Sequence, residues 1–192
     1  MTLRLLFTSL LAASPLAVSA QLVDAQTRLK SAVTEVLSVA DRTANRSALP
    51  ESLRPVLQKH VSFETMTKRA VGPGWRQFTG AQQQQATHLF STLIIRSYSN
   101  KFTPGEHPAI TYKAAVSPAD GRVDVPTNMV YKGSHYTVVY RMEQVQGWRI
   151  TDVVIEGVSL IANYRSQLDA QFKKGGANAV ISSLTQSVSR PQ

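Results

Sequence analysis

The sequence contains no cysteine among its 192 residues. This absence excludes disulfide scaffolds, thiol catalysis and zinc sites built on thiolates. Charged residues are sparse, at 17%, and acids are the scarcer sign, with 12 Asp+Glu against 21 Lys+Arg. The apolar fraction of 43% is too high for a disordered chain. The composition therefore indicates one basic domain, long enough to enclose a core and a cavity.

Motifs that would signal catalysis or metal binding are also missing. The four histidines are far apart, and none has a histidine or carboxylate partner at the helical spacing of a metal site. There is no nucleophile elbow, no phosphate-binding loop and no dinucleotide fingerprint. We therefore predict no catalytic residue and no metal site.

Residues 1–20 have the pattern of a secretory signal peptide. Arg4 is the first charge, an apolar stretch follows, and small residues lead to Ala20, after which we predict the cut. Ser14 and Pro15 interrupt the apolar stretch, which is shorter than the ~20 residues that span a bilayer. We expect an exported protein whose mature part, residues 21–192, is a single domain. Its positive charge favours anionic partners, and export argues against nucleic acid.

Helical periodicity dominates both ends of the mature chain. Apolar residues recur at helical spacing over residues 22–40, 53–57 and 63–70, and we expect Pro55 to break the second of these helices. A long amphipathic helix is predicted from Gly80 towards Pro104, with Phe102 on its apolar stripe. After Gly157 the period is helical again, with a stop at residues 173–176 before a terminal helix.

Between residues 110 and 155 the apolar period is two, which indicates strands. Four alternating segments separated by short turns predict an antiparallel meander. The expected fold class is α+β, with helices packed against one side of a curved four-stranded sheet. The apolar faces of the helices and of the sheet form either a solid core or the walls of a lipid-sized cavity. The composition does not distinguish these two arrangements.

Three segments resemble the MlaC (toluene-tolerance) family. The run DVVIEGVSLIANYRSQ at residues 152–167 looks like the family signature. VGPGWR at residues 71–76 resembles the family's Leu-Gly-x-x-Trp corner, and LIIRSY at residues 93–98 matches a helix that ends in an aromatic residue. Val71 stands where leucine is usual, and Ser62 where an acid is common. The order of elements agrees over residues 22–184.

This resemblance implies a periplasmic phospholipid-binding component of an ABC transport system, with an MlaC-like (NTF2-like) domain that holds the acyl tails inside. It implies a carrier that shuttles lipid and maintains outer-membrane lipid asymmetry. The implied partners are phospholipid, an outer-membrane lipoprotein–porin complex and the substrate-binding ring of the inner-membrane ABC transporter. We expect a monomer without enzymatic activity, without a nucleic-acid partner and without a cofactor, the phospholipid being cargo.

The predicted lipid site combines inward-facing strand residues with helix residues across from them. The strand set is Val125, Met129, Tyr136, Val138, Tyr140, Val153 and Ile155, and the facing helix set is Phe90, Leu93, Ile94 and Tyr98. We expect Val71 and Trp75 at the opening and Val158, Ile161 and Tyr164 on a closing helix. Each of these could equally be an ordinary core residue. Arg165 is expected to pair with Asp152 or Glu156.

Two other functions stay open. The same cavity could bind another apolar molecule, such as an organic solvent or a hopanoid, because a hopanoid-associated branch shares much of the pattern. An isomerase on an NTF2-like scaffold would need an acid beside a tyrosine inside the cavity. Asp152 with Tyr140 or Tyr164 is the only pair that would serve.

Overall fold

The computed structural model describes residues 15–99, 103 and 105–190. Most of the predicted signal peptide, and Phe102, lie outside the described residues, whereas Ala20 lies within the first helix. The helices are α1 (Pro15–Arg42), α2 (Leu49–His60), α3 (Phe63–Val71), α4 (Gly80–Ser99) and α5 (Leu160–Ser189). The strands are β1 (Ala109–Tyr112), β2 (Val116–Ala119), β3 (Arg122–Tyr131), β4 (Ser134–Gln144), β5 (Trp148–Ile155) and β6 (Val158–Ser159).

Local signals set most of the helix ends. The Ser62 hydroxyl accepts a hydrogen bond from the Thr65 backbone N–H at 3.4 Å, so α3 begins with a side-chain cap. The predicted break at Pro55 is wrong, because α2 continues through this proline. A proline inside a helix removes one backbone hydrogen bond, and here Leu49, Leu53 and Val56 of α2 remain buried against α1, which offsets that loss. The predicted interruption near residue 175 is confirmed, since Gly175 and Gly176 have non-helical backbone angles within α5.

The sheet is antiparallel, with the order β1-β3-β4-β5-β6, and β2 pairs with β3 beside β1. The α+β class is confirmed, but the sheet has six strands rather than four. The first predicted strand is divided, because the segment from Tyr112 to Val116 is one residue longer than the facing segment of β3 between Asp124 and Thr127. The sixth strand, β6, is a two-residue pairing with the end of β5.

The apolar core has two main parts. One is helical and is formed by α3, α4, α5 and the Gly72–Gln77 turn, with Phe90 fully buried. The other lies between α1 and the sheet, where Ala25 and Leu29 pack against Val123 and Val125. Helix α1 therefore packs on the sheet, α2 packs against α1, and α4 belongs to a separate helical layer.

Asp152 ties the end of the sheet to the start of α5. Its carboxylate accepts hydrogen bonds from Arg141 Nη1 at 2.9 Å, from the Ser159 hydroxyl at 2.6 Å and from the Ile161 backbone N–H at 3.2 Å. The expected pairing of Arg165 with this carboxylate is wrong. Arg141 faces Asp152 across the β4–β5 pair and takes that position, while the Arg165 guanidinium lies beside Gly72.

The Asp152→Asn variant tests this junction. Asparagine removes the negative charge opposite Arg141 and one of the acceptor sites, so we expect the free energy of unfolding to fall by about 2–4 kcal/mol. Asp169→Asn is the matched control, because Asp169 forms an exposed pair with Lys173 four residues along α5. The control should change stability by less than about 0.5 kcal/mol. Equal losses in urea unfolding of the two variants would contradict the role of Asp152.

Candidate functional site

An apolar cavity of about 230 Å³ lies between the first two helices and the sheet. The helix side consists of Leu29, Ala32, Val33, Val36 and Leu37 from α1 with Leu57 and His60 from α2. The sheet side includes Ile110, Met129, Tyr131, Tyr140 and Ile150. Val61 and Pro108 complete the lining. Such a lining suits hydrocarbon, because it offers a ligand few polar groups to desolvate.

A bulge in β5 brings one of these residues onto the cavity face. Tyr140 faces Val153 and Met142 faces Ile150, so β5 carries one more residue between these pairs than β4 does. The extra residue moves Ile150 to the same face as Val153. Simple alternation from Val153 would place Thr151 there instead, and no residue pattern in this segment marks the shift.

The few polar groups at the cavity are buried or already paired. Burial, with a smaller effect of Tyr112, raises the pKa of Tyr140 to about 12, so this phenol stays neutral. The Tyr131 hydroxyl accepts a hydrogen bond from the Thr103 backbone N–H at 3.2 Å. His60 is 3% exposed, and its Nε2 contacts the Glu35 carboxylate on the outer side of α1.

Glu35 is held as a carboxylate by two neighbours. Hydrogen bonds from His60 and then from Lys59 lower the pKa of Glu35 to about 2. Lys59 Nζ lies 2.8 Å from Glu35 Oε1. Glu35 is therefore a carboxylate at neutral pH, and it contacts the imidazole that lines the cavity.

The predicted strand residues do share one face of the sheet. The register pairs Val125 with Tyr140, Met129 with Tyr136, and Val138 with Ile155. Of the predicted strand set, Met129 and Tyr140 line the cavity, and Val125 and Val153 pack in the core beside it. The face extends beyond the cavity to Tyr136, 38% exposed, and to Val158, 62% exposed, which pairs with Ile155.

The predicted helix residues lie elsewhere, so the expected arrangement is corrected. Phe90, Leu93 and Ile94 are buried in the helical core because α3 and α5 cover their side of α4. Val71, Ile161 and Tyr164 belong to the same core, and Tyr164 meets the Phe90 ring edge-on at 5.2 Å. Tyr98 is 37% exposed. The role of these residues in lipid binding stays a prediction, but their side chains do not face the predicted strand residues.

Trp75 lines a different depression in the surface. This groove of about 630 Å³ is mostly polar, with Gln58, Gln83, His88 and Arg149 among its residues. Its wall meets the apolar cavity at Val61, where the Ser62 backbone N–H donates to the Ile150 carbonyl at 2.9 Å. The groove offers acyl chains no apolar enclosure, so the smaller cavity is the candidate site.

Sequence reasoning missed the contribution of the first two helices. The stripe of α1 was visible as helical spacing, and it supplies five lining residues. Helical spacing does not indicate which helix packs on a given face of the sheet. The tertiary structure shows that α1 covers the face that carries the cavity. His60 carried no signal, because a lone histidine is more often an ordinary packed residue.

The acid–tyrosine pair that an isomerase would need is not formed. Tyr140 lines the cavity, whereas Asp152 is engaged with Arg141, Ser159 and the start of α5. Tyr164 packs in the helical core.

A search for membrane-spanning helices over the described residues finds none with the required length and apolar character.

Comparison with known proteins identifies relatives of this chain. The family model described as MlaC protein matches residues 28–186. A solved structure described as the phospholipid-binding protein from Ralstonia solanacearum in complex with a phospholipid is 28% identical and has a TM-score of 0.78. The match covers 86% of this chain and 97% of that one. No curated protein matches the sequence. The family match spans most of the chain and agrees with the resemblance of its three segments, so the protein belongs to the MlaC family.

Proposed function

We propose that this protein is a periplasmic phospholipid carrier that holds acyl chains between α1, α2 and the sheet. The observation that carries the proposal is the apolar cavity between these elements. Family membership supports the proposal, as does a relative of known structure that is described in complex with a phospholipid.

The size of the cavity indicates how a phospholipid would enter. Pockets for drug-sized ligands measure about 300–1,000 Å³, so a cavity of about 230 Å³ is too small for a whole phospholipid. The apolar face continues beyond the cavity towards Tyr136 and Val158. One acyl segment would occupy the cavity, and the rest of the lipid would extend along this face.

The free energy of lipid burial favours transfer between docked membrane complexes. Each CH₂ removed from water contributes about 0.8 kcal/mol, so two tails of ~15 carbons, when both are fully covered, represent on the order of 20–25 kcal/mol relative to water. That exceeds the practical limit of non-covalent affinity, ~18–21 kcal/mol, and release into water would be very slow. Transfer of the acyl tails into a bilayer or another apolar site costs far less free energy than their release into water. We therefore propose shuttling between an outer-membrane lipoprotein–porin complex and the inner-membrane transporter's ring.

The proposed location rests on the sequence. Residues 1–20 have the charge, apolar stretch and small-residue exit of a signal peptide, with the cut after Ala20. The excess of Lys and Arg over Asp and Glu would attract the chain to anionic lipid surfaces, where its cargo is found.

Identification of the native cargo tests lipid binding. We expect native mass spectrometry of the gently purified mature chain to show bound phospholipid masses, confirmed by extraction. Terpenoid masses would instead favour a hopanoid cargo. A chain that carries no lipid, and takes none up from phospholipid vesicles, would contradict the proposal.

The Val36→Trp variant tests the position of the acyl chains. The indole would fill the cavity, and overpacking costs about 1–3 kcal/mol, so we expect bound phospholipid to fall about tenfold. Val23→Trp is the control, because Val23 is on the same helix and 63% exposed. If both folded variants carry lipid like the parent chain, the site lies elsewhere.

Transfer kinetics test the shuttle. Loaded with fluorescent phospholipid, the chain should release it slowly into buffer and much faster to vesicles that contain the inner-membrane transporter. Protein-free vesicles of the same lipids are the control. Equal, rapid transfer to both kinds of vesicle would show that no docked partner is needed.

A further inference from the structure

A group of exposed cations lies on the surface of the helical layer. Its members belong to α3, to the Gly72–Gln77 turn and to the first part of α5, and we call them the basic strip: Lys68, Arg76, Arg165, Lys173 and Lys174. Asp169 is the only acid of α5, and Lys173 Nζ pairs with it at 2.6 Å. The basic strip therefore combines five cations with one carboxylate.

Packing of α5 on the turn brings these cations together. The Arg165 guanidinium lies beside Gly72, where an added Cβ would be only 3.2 Å from Arg165 Nη2. The Gly72 N–H donates a hydrogen bond to the Lys68 carbonyl, so Lys68 belongs to the same corner. Further along α5, the Phe172 ring covers Gly74. Helix α5 thus runs along the turn, and its cations lie beside those of α3 and of the turn.

The carboxylates of the neighbouring elements leave this charge in place. Glu64, the only acid of α3, lines the polar groove near Trp75. Glu143 accepts a hydrogen bond from Arg69 Nη2 at 2.7 Å. Apart from Lys173, no cation of the basic strip forms an ion pair with a carboxylate in the described part of the chain. This surface therefore has an excess of positive charge.

The composition of the basic strip favours a membrane surface over a protein partner. Lysine is depleted in protein–protein interfaces, where aromatic and apolar anchors supply most of the affinity. Three of the five cations are lysines. The large apolar side chains that are exposed within the described residues all belong to elements other than α3, the turn and α5. An anionic bilayer attracts lysine and arginine through its surface potential and needs no such anchor.

We propose that the basic strip is a peripheral docking surface for bilayers that contain anionic phospholipid. The inference rests on the proposed function and deepens it, because it names the surface with which the carrier meets a membrane. The apolar cavity lies between α1, α2 and the sheet, so the basic strip is separate from the site that would hold the cargo. Docking and lipid binding are therefore measured independently.

Vesicle binding tests the proposal. The mature chain should bind vesicles of phosphatidylglycerol and not vesicles of phosphatidylcholine. Binding should weaken as the ionic strength rises from about 0.01 M to 0.15 M, because the Debye length falls from ~30 Å to ~8 Å. Each cation near an anionic surface contributes about a fivefold factor, so Lys68→Glu combined with Arg76→Glu should weaken binding to phosphatidylglycerol vesicles by about 25-fold or more.

Arg28→Glu combined with Lys113→Glu is the matched control. This double variant changes the net charge by the same amount, and both residues are exposed. They lie on α1 and just after β1, beside the core between α1 and the sheet. The control should bind phosphatidylglycerol vesicles nearly as the parent chain does. Thermal unfolding confirms that each variant is folded, and native mass spectrometry measures the phospholipid that each one carries.

The proposal has distinct contrary outcomes. Equal weakening by both double variants would show that net charge alone drives binding, and unchanged binding of the Lys68/Arg76 variant would show that the basic strip takes no part. Equal binding of the parent chain to phosphatidylcholine vesicles would assign the attachment to apolar contacts. Each of these results would overturn the proposal.

A protein partner and a failure of the proposed function give results of their own. If the parent chain binds only vesicles that contain the inner-membrane transporter, and the Lys68/Arg76 variant loses that binding, the basic strip docks on a protein and the bilayer proposal is overturned. A chain that docks on phosphatidylglycerol vesicles as predicted but never carries phospholipid would support the docking surface and contradict the proposed function.

Discussion

The distance between α1 and the sheet determines both the stability of this fold and its capacity for a ligand. At one end Ala25 and Leu29 pack closely against Val123 and Val125, and this contact fixes the helix on the sheet. Further along the helix Val36 and Leu37 stand away from Met129, and the cavity lies between them. The same helix therefore closes a core at one end and leaves a site at the other.

The apolar side chains that line the cavity lack packing partners on the side that faces the space. Hydrocarbon in the cavity would supply those contacts. A ligand that binds only the folded chain would also stabilise it.

The sequence predicted the parity of the strands well, because alternation is a local property. Met129 with Tyr136 and Val125 with Tyr140 share a face, as expected. It did not predict the bulge that turns Ile150 to that face, since one inserted residue leaves no mark on composition. Nor did it place α4. The stripe of Phe90 and Ile94 would suit a sheet or another helix equally, and only the position of α3 and α5 decides between these.

The central claim is that acyl chains lie between α1 and the sheet, and a crystal of the chain loaded with phospholipid brominated along its acyl chains tests it most directly. Anomalous scattering locates the bromine atoms without reference to any other part of the lipid. We predict bromine positions in van der Waals contact with Val36 and Met129. Bromine between α4 and α5, or only in the polar groove near Trp75, would contradict the claim.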